Sequence, residues 1–109
     1  MELTLKNEHC AVTVTDAGAM LRSLVRDGRE YLWQGAPAYW AGQAPVCFPI
    51  VGVLPKGAAT AFGKPCRMKR HGVARIYPVT LTLLHGIGAS FSHVADEITL
   101  AAYPFYFRL

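Results

Sequence analysis

The sequence predicts an all-β fold of antiparallel strands interrupted by one long proline-rich loop, and three observations carry that expectation. Apolar residues recur at a period of about 2 far more often than at about 3.6. Turn residues punctuate the chain at short intervals, and residues 35–57 hold Pro37, Pro45, Pro49 and Pro55 among glycines and aromatics. Taken in order, Leu3 and Leu5 share one face of a first short strand. After a turn at Lys6-Asn7-Glu8-His9, Cys10, Val12 and Val14 share one face of a second, with Ala11, Thr13 and Thr15 on the other. The two read as a hairpin. Asp16-Ala17-Gly18-Ala19 breaks the pattern, residues 20–26 resume it, and Asp27-Gly28 is a strong turn dipeptide before the short apolar run Tyr31-Leu32-Trp33.

The proline-rich stretch cannot be a central strand or a helix, because proline lacks the amide donor that either would use. It reads as a long, apolar, shaped loop that includes Trp40 and Phe48. Beyond it, residues 58–62 and 66–68 suit a hairpin around Gly63-Lys64. Val79, Leu81 and Leu83 alternate with Thr80 and Thr82 in a further strand, and Phe91 and His93 lie on one face of another. At the end, Tyr103, Phe105, Phe107 and Leu109 alternate with Pro104, Tyr106 and Arg108, which predicts a closing strand. No internal repeat, low-complexity tract or Gly/Ser linker divides the chain, so one domain or part of one is expected.

Composition narrows the class further. The 109 residues carry a formal charge of +4, with 52% hydrophobic and 17% charged side chains, which excludes a charge-rich disordered chain. The longest apolar stretch, residues 44–54, is interrupted by Pro45 and Pro49 and falls short of the ~20 residues that cross a bilayer. The N-terminus has neither a basic leader nor a long apolar core, so a cytoplasmic protein is expected. Cys10, Cys47 and Cys66, odd in number and widely spaced, read as buried free thiols rather than a disulfide framework. Cys66 and His71 lack the second pair of ligands that a tetrahedral zinc site needs, so no metal is expected.

No Gly-rich phosphate loop, dinucleotide fingerprint or Gly-x-Ser-x-Gly elbow is present. The densest polar cluster is Lys64, Arg67, Lys69, Arg70, His71 and Arg75, just after the proline-rich loop. From residue type alone it suits a solvated basic loop, a site for phosphate or another polar ligand held by Arg forks, or a nucleic-acid contact. Of the four histidines, His71 stands out: Gly72 allows close backbone approach behind it, and Arg70 and Arg75 flank it. Histidine is also the commonest acid–base group near neutral pH. His85, before Gly86, suits an exposed hairpin end. Trp33, Tyr39 and Trp40 suit either core packing or a stacking wall for the C–H face of a sugar ring.

Four strings then go together in order and spacing: Glu30-Tyr31-Leu32-Trp33-Gln34-Gly35, Pro37-Ala38-Tyr39-Trp40, Ala44-Pro45-Val46-Cys47-Phe48-Pro49-Ile50-Val51-Gly52, and Arg70-His71-Gly72-Val73-Ala74-Arg75. With the closing Tyr103-Pro104-Phe105-Tyr106-Phe107-Arg108-Leu109, they resemble the aldose 1-epimerase (galactose mutarotase-like) family, in its bacterial mutarotase-like branch. The resemblance implies that residues 1–109 are the N-terminal part of a single β-supersandwich domain. It further implies a cofactor-free isomerase that interconverts the α and β anomers of an aldose, or of a hexose 6-phosphate in a sister branch.

The implied chemistry is acid–base: a glutamate takes the proton of the anomeric hydroxyl while a histidine protonates the ring oxygen, and the opened chain recloses on the other face. His71 matches the family's first active-site histidine, which binds the sugar and assists the acid. Arg70, Arg75 and Trp40 are the further expected sugar contacts. The resemblance implies a small-molecule sugar as partner, with neither nucleic acid nor membrane, and leaves the oligomeric state open. Two departures stand out. Val53 occupies the position of a family arginine that hydrogen-bonds sugar hydroxyls. The second histidine and the glutamate base belong to a part that would follow Leu109; His85, His93 and Glu97 do not match their motifs.

Overall fold

The computed structural model describes residues 1–109, except for the side chain of Leu83. That side chain, expected on the face of Val79 and Leu81, lies outside the described residues. Eight strands form three antiparallel sheets, with one short helix near the end.

The first sheet has four strands in chain order: β1 (Glu2–Lys6), β2 (Cys10–Thr15), β3 (Leu21–Arg26) and β4 (Arg29–Glu30). Its first turn is fixed by Asn7, whose side-chain oxygen accepts from the amides of His9 (2.9 Å) and Cys10 (2.8 Å). The register sets Leu3 opposite Val14 and Leu5 opposite Val12, so the period-2 alternation separates an apolar face from a Thr-rich one. On the latter, Thr4 and Thr13 share a 2.9 Å hydroxyl bond. The turn between β3 and β4 holds Asp27 and Gly28 at φ 48° and 78°, the pair of positive values that a two-residue type I′ hairpin requires. Tyr31-Leu32-Trp33 does not continue that strand.

A bulge between β2 and β3 sets Thr13 opposite Ser23 but Val14 opposite Leu21, leaving Arg22 out of the ladder. The Arg22 carbonyl, freed by the bulge, accepts from the side-chain amides of Gln34 and Gln43, each at 3.1 Å. Gln43 is buried and also donates to the Trp33 carbonyl at 3.1 Å. One glutamine thus ties the proline-rich loop to the sheet edge. Glu30 ends β4 in a similar role: its carboxylate accepts from the Ser23 hydroxyl and from the amides of Leu24, Tyr31 and Leu32.

Two hairpins follow. Strands β5 (Ala58–Ala61) and β6 (Lys64–Arg67) join through Phe62 and Gly63, at φ 48° and 76°. The turn therefore lies one residue earlier than expected, and Lys64 belongs to the strand. Strands β7 (Thr80–His85) and β8 (Gly88–Ser92) pair next, with His93 just beyond β8. The loop between β2 and β3 docks here: Gly18 donates to the Tyr77 carbonyl (2.9 Å) and Val79 to that of Asp16 (2.8 Å).

The closing segment corrects the sequence reading. Glu97–Ala102 is an α-helix, α1, and residues 103–109 are not a continuous strand. The helix starts from a capping box in which Asp96 accepts from the Thr99 amide and the Thr99 hydroxyl accepts from the Asp96 amide. It cannot run on through Pro104. The chain bends there, with the Phe105 amide bonded to the Tyr103 carbonyl at 2.8 Å. Only its last residues pair, as Ala95 donates to the Phe107 carbonyl and His93 and Leu109 exchange bonds. The alternating aromatics instead fold inward, where Tyr103, Phe105 and Phe107 pack on a core of Cys66, Met68 and Val73. Phe48 reaches the same cluster, 5.0 Å from Phe107 and edge-on to Tyr103 at 6.1 Å. Cys66 alone of the cysteines is buried; Cys10 and Cys47 are half-buried, against the expectation that all three would be enclosed. No helix is long and apolar enough to cross a membrane.

The Glu30 contacts generate a pH dependence. The Ser23 hydroxyl first, then the amides of Leu24 and Leu32, hold the Glu30 carboxyl down from 4.5 to about 2. A folded-state value below the unfolded one gives stability that is present above about pH 4.5 and lost as pH falls toward about 2. Glu30→Ala should therefore lower the urea midpoint most near pH 7, with Glu30→Gln intermediate. The gap to the parent protein should close as pH falls from about 4.5 to about 2. Urea titrations at pH 7, 4 and 2.5 followed by circular dichroism check it.

Candidate functional site

His71 lies where two loops are sewn together. The peptide bond between Phe48 and Pro49 is cis. Opposite, His71 and Gly72 both adopt left-handed backbone, at φ 68° and 77°, in a turn closed by Gly72 donating to the Lys69 carbonyl at 3.0 Å. Five hydrogen bonds join the two loops. Phe48 donates to the His71 carbonyl (3.2 Å), and its own carbonyl accepts from Val73 (2.7 Å) and Ala74 (3.3 Å). His71 donates its amide to the Gly52 carbonyl (2.7 Å), and the Gly52 amide donates back to His71 Nδ1 (3.0 Å).

That last bond decides what the imidazole offers. An N–H aimed at Nδ1 requires a lone pair there, so the neutral ring carries its proton on Nε2. Nε2 makes no hydrogen bond among the described residues, and the ring is half-buried. The result is a fixed, singly directed donor held by backbone rather than by another side chain. Glycine is required at 72 because a Cβ there would be driven into the Phe48 carbonyl, apart from the positive φ.

The other expected contacts are distributed less tightly. Arg70 and Arg75 are exposed beside His71 in sequence, and neither forms an ion pair among the described residues. No Asp or Glu occurs between Glu30 and Asp96, while Lys56, Lys64, Arg67, Lys69, Arg70 and Arg75 all fall in that interval. Along the chain, the segment around His71 is therefore cationic with no acidic residue near it in sequence. Lys64 reaches over the Phe105 ring at 5.2 Å. Trp40 is half-exposed on a tight turn in which it and Ala36 exchange backbone bonds, its carbonyl also accepting from Trp33 Nε1 at 2.8 Å. Its indole packs on Gly42. No hydrogen bond or ring contact among the described residues joins Trp40 to residues 70–75, so the structure does not by itself bring it to His71. Val53 follows Gly52 directly and is 59% exposed, so an apolar side chain borders the histidine's anchor.

The remaining histidines differ from it. His85 is exposed at the end of β7, as expected. His93 is enclosed between Tyr77 and Phe107, with Nδ1 bonded to the Pro78 carbonyl at 3.2 Å. Glu97 sits exposed in the first turn of α1. Gly52 is the residue that sequence reasoning passed over, because its role as partner to His71 depends on a contact 19 positions away.

The antiparallel strands, the single short helix and this loop pair define a piece of a mutarotase-like β-sandwich. The chain is similar along its whole length to galactose mutarotase-related proteins. It superposes on the galactose mutarotase related enzyme of Lactobacillus acidophilus with a TM-score of 0.92 at 33% identity, covering 99% of this chain and 37% of that one. For a galactose mutarotase-like protein of Lactobacillus casei the values are 0.93 and 28%, with the same coverage. In sequence it is 36% identical to the plasmid-encoded protein LacX of Lactococcus lactis subsp. lactis over 100% of this chain. The chain spans 38% of the length of that relative, a share that agrees with the N-terminal portion expected. No protein-family model matches the chain.

Gly72→Ala should destabilise the protein by about 2 kcal/mol or more, since it combines a strained positive φ with a backbone overlap. The amides of Val73 and Ala74 should lose their protection with it. Hydrogen exchange read residue by residue checks this, and equal exchange in the variant contradicts the assignment.

Proposed function

We propose that this chain carries the histidine-bearing, sugar-binding portion of an aldose 1-epimerase-like isomerase that interconverts the α and β anomers of an aldose. The observation that supports this reading most is the His71 imidazole, held by Gly52 with its N–H on Nε2 and no protein partner there. A donor of this kind hydrogen-bonds a sugar ring oxygen or hydroxyl in one orientation. Its part in the reaction is to bind the sugar and polarise the ring C–O bond as that bond breaks.

A base on the opposite side of the ring takes the anomeric hydroxyl proton while the second histidine protonates the ring oxygen as its bond to C1 breaks, the ring opens to the hydroxy-aldehyde, and rotation about C1–C2 precedes closure on the other face with the two proton transfers reversed. That base and the second histidine are not residues of this chain. The similarity to a galactose mutarotase related enzyme supports the reaction class. The exposed, unpaired Arg70 and Arg75 beside His71 suit hydroxyl-rich or phosphorylated aldoses alike. A second reading, a carbohydrate-binding piece without catalysis, is favoured by Val53, which offers no hydrogen bond where it borders the site.

Two measurements test the proposal. Saturation-transfer NMR with galactose and glucose should show binding to the 109-residue chain that His71→Ala removes. Val53→Arg should strengthen it by about 1 kcal/mol, the worth of a charged donor to a hydroxyl less the ordering of a long side chain. Polarimetry of fresh α-galactose should show no acceleration by the chain alone, because one side chain cannot serve both faces of the ring. Sugar binding unchanged by His71→Ala overturns the placement of the site, and acceleration by the isolated chain overturns the division of labour.

A further inference from the structure

The seam between the two loops depends on one unprotonated ring nitrogen. The Gly52 amide donates to His71 Nδ1 at 3.0 Å, and the His71 amide donates to the Gly52 carbonyl at 2.7 Å. The second bond is indifferent to the charge on the ring, but the first is not. A ring nitrogen accepts an N–H only through its lone pair, and an imidazolium carries a proton on both nitrogens. A proton on Nδ1 therefore replaces the Gly52 bond with two N–H groups that face each other. No counter-charge is at hand, since His71 forms no ion pair among the described residues. On its own turn the charged neighbours are Lys69 and Arg70, and Arg75 lies in the turn that follows. Across the seam, residues 44–54 carry no charged side chain; Cys47 is their titratable group, and Lys56 is the first charge beyond them. The cluster behind Phe48 adds Cys66, Tyr77 and Tyr103, with His93 packed against Tyr77 and Phe107.

The backbone at this point has a reason to move once the bond is lost. His71 holds φ at 68°, a left-handed conformation that is costly for a residue with a side chain and persists only where its neighbours enforce it. The Gly52 bond is one of those constraints. The turn it helps to hold also carries the His71 carbonyl to the Phe48 amide and the Val73 and Ala74 amides to the Phe48 carbonyl. The closed seam excludes a proton from Nδ1 and the open seam admits one, so lowering the pH favours the open form. We propose that the Gly52–His71 pair is an acid-released latch. With Nδ1 unprotonated, the loops are closed and Nε2–H points in one direction; with Nδ1 protonated, the seam opens, the imidazole is freed, and Phe48 separates from Val73. The donor offered from Nε2 and the protonated histidine are then two states of the backbone as well as two charges of one ring. The latch rests on contacts within residues 48–74 and holds whether or not a sugar binds beside it.

The probe is the proton itself, with the 109-residue chain compared at about pH 8 and about pH 5, the limits of the range in which histidine ordinarily changes charge. Hydrogen exchange, corrected for the intrinsic rate at each pH, should show the Gly52 and Val73 amides losing about tenfold or more of their protection at the lower pH, the scale of one released hydrogen bond. The Thr15 amide, bonded to the Met20 carbonyl in the first sheet, should keep its protection within about twofold. In His71→Asn the side-chain Oδ1 stands where Nδ1 does and takes up no proton, and asparagine tolerates positive φ. That variant should keep both amides protected at both pH values, whereas His71→Ala, with no acceptor, should leave them poorly protected at both. Nitrogen-15 spectra of the unsubstituted chain should show the Nε2–H form at the higher pH, with the Gly52 amide shift following ring protonation at a single midpoint; this is read even if His71→Ala fails to fold. Unchanged protection of Gly52 and Val73 in the unsubstituted chain overturns the proposal. So does a loss that persists in His71→Asn, which assigns the acid sensitivity to another group, His93 first, and so does an equal loss at Thr15.

Discussion

The reciprocal bond between Gly52 and His71 is the contact on which the centre of the molecule depends. It joins two loops that have no regular secondary structure and so no hydrogen-bond ladder of their own. Buried backbone groups without partners are costly, and here each loop satisfies the other. Once Gly52 and His71 meet, Phe48 is brought over Gly72, and its ring is delivered to the cluster of Met68, Val73, Tyr103 and Phe107. The same contact that fixes the histidine's tautomer therefore also organises the aromatic core. Loss of either glycine would disturb both together, which couples the candidate chemistry to folding more closely than a surface histidine would be.

Around that centre, charge and apolar surface are segregated. All the carboxylates belong to the first sheet with its turns or to the last helix and its cap, and the cations near His71 have no acidic counterweight in sequence. Glu30 and Asp96, two carboxylates with lowered values, are engaged with backbone amides and hydroxyls. They serve as caps and turn anchors and are not free to act as a base. Arg70 and Arg75 thus present exposed hydrogen-bond donors beside His71 in sequence, while the face of the first sheet that bears Leu5, Val12 and Val14 is apolar.

Alternation along the chain was enough to mark the hairpin strands, since it puts every second side chain on one face, and turn residues marked Asp27-Gly28 and the neighbourhood of Gly63, since positive φ there selects glycine beside a tolerant neighbour. The sequence also singled out His71 and Gly72 and excluded a regular strand through the proline-rich loop. Tertiary structure decided what periodicity cannot encode. The alternation of Tyr103 to Leu109 looked like a strand, but Asp96 and Thr99 cap a helix before it and Pro104 bends the chain, so the aromatics enter the core by folding back. The bulge that frees the Arg22 carbonyl for Gln43, the burial of His93 against Tyr77, and the tautomer of His71 all depend on atoms many residues away in sequence. Local pattern constrains which face a residue occupies; only the packed chain decides which lone pair meets which donor.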